Sequence, residues 1–215
     1  MIFVNFKTYQ KGTGKSALLL AKICLEVEKE TGIKIIPVVQ VVDINLLKDF
    51  NVFTQHVDDI SFGPNTGKIL PQAIIEAGVK GTLLNHSESK IPFQVIGSTI
   101  QKIKALDNNF KVLVCCESID EAQEIIEFEP DFLAYEPPEL IGGDISVSKA
   151  EPEVISDFTK MIKEVPILVG AGIRTGDDVK KAIELKAQGI LVSSDLLLAE
   201  DFKKELLELA LAFKK

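Results

Sequence analysis

Two side chains in this sequence stand where chemistry would want them. Glu136 closes an apolar run, Phe132-Leu133-Ala134-Tyr135, and is followed at once by Pro137-Pro138-Glu139-Leu140-Ile141-Gly142-Gly143. A carboxylate held at the end of a buried strand has its pKa raised toward that of a usable base, and the Pro-Pro and Gly-Gly pairs read as the stiff and loose ends of a moving lid. The competing reading is an ordinary turn carrying a surface Glu. His86 lies between Thr82-Leu83-Leu84-Asn85 and Ser87-Glu88, where a strand feeds a helix. That position suits a catalytic imidazole or a hydrogen-bonded structural one.

Other spacings carry less. Gly12-Thr13-Gly14-Lys15-Ser16 suggests a nucleotide loop, but that motif needs a glycine at position 9, which is Tyr. Gly170-x-Gly172 lacks a third glycine at position 175, which is Thr, so a dinucleotide fingerprint is not indicated. Contact between this turn and a single phosphate stays open, because a chain entering a helix near Gly176 presents free N–H groups. His56 and His86 have no Cys or His partner at ligand spacing, so no metal is expected, and His56 follows a buried-strand pattern that suits a structural role.

The elements that must position these groups are legible as short β-branched runs alternating with longer amphipathic stretches. Strands are predicted near Ile2 to Asn5, Ile33 to Val39, Val52 to His56, Gly81 to Asn85, Lys111 to Cys116, Phe132 to Glu136, Pro166 to Gly170 and Gly189 to Ser193. Helical spacing marks the intervals, as in Ala17, Leu20, Ala21, Cys24 and Leu25. Eight such units favour a (β/α)8 barrel, a TIM barrel in fold, over an open doubly wound sheet; the short connections imply shortened helices. With no linker, repeat or low-complexity segment, residues 1–215 read as one barrel domain. Active sites of such barrels lie at the carboxyl ends of the strands. Those positions hold Asn5 and Lys7, Gln40, His56, His86 and Glu88, Glu117, Glu136, the Gly170-Ala171-Gly172 turn, and Ser193-Ser194-Asp195.

Composition narrows the partners. The chain has 32 acidic against 24 basic residues, a formal charge of -8, and no basic block, which argues against nucleic acid or an anionic membrane. Cys24, Cys115 and Cys116 sit in apolar runs without C-x-x-C spacing, as expected of buried, reduced thiols in the cytoplasm. The amino terminus lacks the pattern of a signal peptide, and no apolar stretch of about 18 residues suggests a membrane span.

Several motifs then agree in order and spacing: Asn5-Phe6-Lys7-Thr8-Tyr9, Gln55-His56-Val57-Asp58, Asn85-His86-Ser87-Glu88, Glu136-Pro137-Pro138-Glu139-Leu140-Ile141-Gly142 and Gly170-Ala171-Gly172-Ile173. Across essentially the whole chain the sequence resembles the triosephosphate isomerase family, in its short archaeal form. That family is itself the standing example of a carboxylate base beside a neutral imidazole, so the following roles come from the resemblance. It implies Glu136 as the base, His86 as the neutral electrophile and Lys7 as stabiliser of the enediolate. It further implies Asn5 orienting Lys7 and substrate, Glu88 supporting the polar network, and Ile141, Gly142, Gly143, Gly172, Ser193, Ser194 and Asp195 contacting substrate. A carbon acid beside a carbonyl needs a base and donors aimed at the oxyanion; this set supplies both without cofactor or metal.

The resemblance also implies a homo-oligomer, a tetramer favoured over a dimer, because Gly63-Pro64-Asn65-Thr66-Gly67 matches a loop that reaches a neighbour's site, with Thr66 bracing the partner's Asn5 and Lys7. The chain departs from the family on the phosphate side at Gly143-Asp144, Arg174 and Asp195. A carboxylate at 195 is expected to turn away and cap the final helix; the alternative is neutralisation by Arg174. Two other readings remain: a barrel enzyme acting on a different small phosphate ester, and a non-catalytic homologue with an interaction role.

Overall fold

In the computed structural model, which describes residues 1–137 and 152–214, eight short apolar runs form the strands. They are β1 (Ile2–Asn5), β2 (Ile35–Val39), β3 (Phe53–Thr54), β4 (Gly81–Leu84), β5 (Lys111–Cys116), β6 (Phe132–Tyr135), β7 (Ile167–Val169) and β8 (Gly189–Val192). Each pairs in parallel with the next, and β8 returns to β1, closing the barrel. Several strands are shorter than their sequence windows, β3 most of all. Val52 and Val57, on either side of it, are buried without belonging to the ladder. Apolar β-branched composition reports burial as much as strand pairing.

The helices among the described residues are α1 (Lys15–Thr31), α2 (Pro71–Glu76), α3 (Phe93–Leu106), α4 (Ile119–Ile126), α5 (Pro152–Met161), α6 (Gly176–Glu184), α7 (Ser194–Leu198) and α8 (Phe202–Leu211). The expected shortening is concentrated after β2, where Val41–Leu47 forms a 3-10 turn, and in the six-residue α2. Two consecutive β-branched valines followed by Asp43 and Asn45 make a poor α-helix. Asp43 instead accepts a hydrogen bond from Gly14 N–H at 3.0 Å, tying this turn to the start of α1. By contrast α1 buries Ala17, Leu20, Ala21, Cys24 and Val27 along one face and stops at the left-handed Gly32, whose N–H returns to the Glu28 carbonyl. Thr175 and Asp178 form a reciprocal capping box on α6, worth about 1 kcal/mol.

Alternation along each strand sorts side chains into two cores. Phe3, Val38, Phe53, Leu83, Leu113, Cys115, Ala134, Leu168 and Leu191 fill the barrel interior. Their neighbours, such as Val4, Val112, Val114, Leu133 and Val169, join the larger core between strands and helices. Two residues beyond the last interior position come Asn5 after Phe3, Glu136 after Ala134, Gly170 after Leu168 and Ser193 after Leu191. The strand period thus brings these four residues to the carboxyl mouth of the barrel. The three cysteines are buried and unpaired with one another. No helix among the described residues is long and apolar enough to cross a membrane.

Candidate active site

The residues at this mouth surround a cavity of about 220 Å³ lined by Asn5, Lys7, His86, Glu136, Gly172, Ser193, Ser194 and Asp195 among others. The residues given catalytic or substrate-contacting roles by the resemblance, within the described range and one chain, therefore meet at one place, whereas Gln40, His56 and Glu117, also at strand ends, do not line this cavity. Ile141, Gly142, Gly143 and Asp144, with most of the proposed lid, lie outside the described residues. His56 stands two residues beyond β3, half-buried rather than within a buried strand, with Nε2 3.7 Å from Asp58.

Lys7 follows β1 with φ of 45°, a conformation that costs a non-glycine residue on the order of 1–3 kcal/mol. Two contacts hold it there. Its N–H donates to Asn5 Oδ1 at 3.0 Å, and Gln55 Nε2 donates to its carbonyl at 2.8 Å. The resulting turn sends the ammonium into the cavity, where it donates to Glu88 Oε1 at 2.7 Å.

The Glu88 backbone N–H donates to His86 Nδ1 at 3.1 Å. Nδ1 is therefore the acceptor nitrogen of the ring, and Nε2 carries the proton of the neutral form. Nε2 lies 3.5 Å from Glu136 Oε1. Burial, reinforced by the Lys7 charge, lowers the imidazole pKa below its ordinary 6.5, so His86 is neutral at pH 7.

Glu136 is 5% exposed. Burial raises its pKa from 4.5 to about 7, while the Cys115 thiol and the Lys7 ammonium pull the other way. Its Oε2 has no hydrogen-bond partner among the described residues. A carboxyl that exchanges its proton near neutrality, beside a neutral N–H donor and an ammonium, can accept a proton from carbon while the two donors meet charge on an adjoining oxygen.

The opposite wall is built by backbone. Gly172 is left-handed, with φ of 65°, and Ser193 Oγ donates to the Asn5 carbonyl at 2.8 Å, joining β8 to β1 above the barrel. Asp195 corrects the sequence expectation. It is the second residue of α7, inside the helix, and the N-cap position belongs to Ser193, with no side-chain capping bond. The cap of the final helix α8 is Asp201, which accepts from Lys204 N–H at 3.0 Å. Asp195 Oδ1 instead lies 3.3 Å from Arg174 Nε, the neutralising arrangement.

Sequence reasoning missed Cys115, read only as an inert buried thiol, and gave Gln55 no role beyond its place in a motif. Alternation in β5 carries the signal for the first: Leu113 faces the barrel interior, so Cys115 does too, one position nearer the mouth. Gln55 contacts Asn5 and Lys7 some 50 residues earlier in the chain, which no local pattern reveals.

Residues 1–209 match the profile of the family described as triosephosphate isomerase. Among curated proteins, the chain is 42% identical to the triosephosphate isomerase of Methanothermus fervidus, over 97% of this chain and 96% of that one. It is 44% identical to that of Methanobacterium bryantii, over 97% and 95%, and 40% identical to that of Thermoplasma volcanium, over 93% and 94%. With a match of this extent, from the first strand to the last helix, the chain belongs to the triosephosphate isomerase family.

Proposed function

We propose that this protein interconverts dihydroxyacetone phosphate and D-glyceraldehyde 3-phosphate through an enediolate. The observation that carries the reading is the buried Glu136 carboxyl facing His86 Nε2 across 3.5 Å in a cavity that Lys7 also lines. Glu136 removes the proton from the carbon beside the carbonyl and later returns it to the neighbouring carbon. His86 Nε2–H donates to the oxygens that gain charge, and the Lys7 ammonium offsets that charge. One proton changes carbon through Glu136, the hydroxyl proton passes from one oxygen to the other through His86 Nε2, and the electron pairs shift with them, so the substrate is rearranged with no net oxidation. The reading calls for no cofactor and no metal.

Asn5 and Lys7 hold the reacting end of the substrate in this scheme. Gly172, Ser193, Ser194 and Asp195 face its phosphate, and Ile141, Gly142 and Gly143 cover it to exclude water and limit phosphate loss. The single domain spans 1–215, and the enzyme works in the cytoplasm in glycolysis and gluconeogenesis. A homo-oligomer, tetrameric rather than dimeric, completes the site with Thr66 of a neighbour. The exposed loop around Phe62, which is 72% exposed, supports this assembly. So does a second cavity of about 190 Å³ beside Lys7, lined by Gln55, His56 and Ser89.

The Arg174–Asp195 pair, a departure from the family's pattern on the phosphate side, favours a second reading, in which the substrate is a different small phosphate ester. A coupled assay in both directions with the two triose phosphates tests the proposal. Saturable turnover supports isomerase; its absence, with the protein folded, leaves the second reading or a non-catalytic homologue.

A further inference from the structure

Asn85, immediately before His86, is 1% exposed and left-handed, with φ of 58°. Its amide makes three bonds that reach three separate segments. Nδ2 donates to the Cys115 carbonyl on β5 at 2.9 Å and to Glu121 Oε1 on α4 at 2.9 Å, and Oδ1 accepts from Ile91 N–H at 3.1 Å. Both amide hydrogens are used, so the side chain has one orientation. Its anchor is itself fixed: Glu121 Oε1 also accepts from Lys90 Nζ at 2.6 Å, and Oε2 accepts from the Glu117 N–H at 2.7 Å. Cys115 holds the Asn85 amide through its carbonyl while its thiol interacts with Glu136. Asn85, next to His86 in the chain, is thus linked to Glu136 through a single residue, Cys115.

We propose that Asn85 is a positioning residue that sets the separation of His86 Nε2 and Glu136. The claim rests on the catalytic reading of that pair and adds a residue to it. Two explanations of an asparagine here make different demands. If the turn needed only a left-handed residue, glycine would serve equally well. If the side-chain bonds matter, glycine keeps the backbone but frees the Cys115 carbonyl, the Glu121 carboxylate and the Ile91 N–H, and the imidazole loses its fixed place. A displacement of about 1 Å in such a pair can cost on the order of 100-fold in rate.

The test uses the full chain with Asn85→Gly and, as a variant that leaves residue 85 untouched, Glu121→Ala. Each is measured for kcat and KM in the isomerase assay, for thermal unfolding, and for the imidazole ¹⁵N spectrum, where His56 and His86 are the two histidines. The expected result for Asn85→Gly is a cooperative unfolding transition, kcat at least tenfold lower, KM within about twofold, and loss of the single Nε2-protonated pattern of His86. Glu121→Ala should show a smaller loss of kcat with the same spectral change. Wild-type kcat and an unchanged His86 spectrum in Asn85→Gly would overturn the proposal; if that variant fails to fold, the same outcome in Glu121→Ala overturns it. Should the parent not turn over triose phosphates, the catalytic reading falls and the His86 spectrum alone decides the positioning claim.

Discussion

Gly170 is the shelf on which Glu136 rests: a Cβ at position 170 would stand 2.5 Å from Glu136 Cγ and 3.2 Å from its carboxylate carbon. The two residues continue the register in which Ala134 faces Leu168 and Tyr135 faces Val169, and the Gly170 N–H donates to the Tyr135 carbonyl at 2.9 Å. Gly170→Ala should therefore push the carboxylate toward the cavity. Overpacking of this kind costs about 1–3 kcal/mol. The expected outcome in steady-state kinetics is a kcat at least tenfold lower with a modest change in KM; wild-type kcat would show that the shelf does not position the base.

The raised pKa of Glu136 ties activity and stability to pH in opposite directions. In the proposed mechanism the reacting form of Glu136 is the carboxylate, so kcat/KM should rise with pH through about 7, separable from the substrate phosphate's own titration at about 6. Stability follows the reverse course. The native state binds this proton more tightly than the unfolded chain, whose carboxyl titrates near 4.5, so the contribution is full below about 4.5 and is lost as pH rises through about 7. Glu136→Gln removes the dependence. Denaturant unfolding at pH 5 and pH 8 should show the parent losing on the order of 3 kcal/mol more than the variant, and parallel behaviour would contradict the assignment.

If the cavity end lined by Gly172, Ser193 and Ser194 takes the substrate phosphate as proposed, Arg174 and Asp195 should act as a unit. Left alone, a carboxylate facing a phosphate would weaken binding, and the guanidinium 3.3 Å away offsets it. Arg174→Ser is expected to raise KM severalfold in the parent and much less in the Asp195→Gly background, with kcat little changed in both. Additive effects across the double-mutant cycle would separate the two residues.

Assembly has a direct readout. Light scattering should give particles at a multiple of the 23.6 kDa chain, four being expected, and Thr66→Ala should lower activity without altering the Asn5 and Lys7 contacts within one chain. Particles of 23.6 kDa alone, fully active, would exclude any role for a neighbour.

Much of the fold and of the site is legible in the amino-acid sequence, and the exceptions have physical reasons. Strand alternation and the barrel rule place Lys7, His86 and Glu136 together, because burial on both faces leaves apolar runs that end in polar residues. The helix pattern fails after β2, where β-branched and short polar residues prefer the tighter 3-10 turn Val41–Leu47. Asp195 stands near a helix start in the sequence, which suits a cap, whereas its place inside α7 and the opposite charge of Arg174 decide its orientation. The anchoring of Asn85 by Glu121, 36 residues away, and the shelf at Gly170 depend on contacts between strands that only the folded barrel creates.

Glu136 as the carrier of the proton is tested most directly by Glu136→Asp in the coupled assay. Withdrawing the carboxylate by one methylene leaves its charge but misplaces it by about 1 Å, so kcat should fall on the order of 100-fold while KM stays within a few-fold of the parent. An aspartate variant with the parent's kcat would remove Glu136 from the reaction.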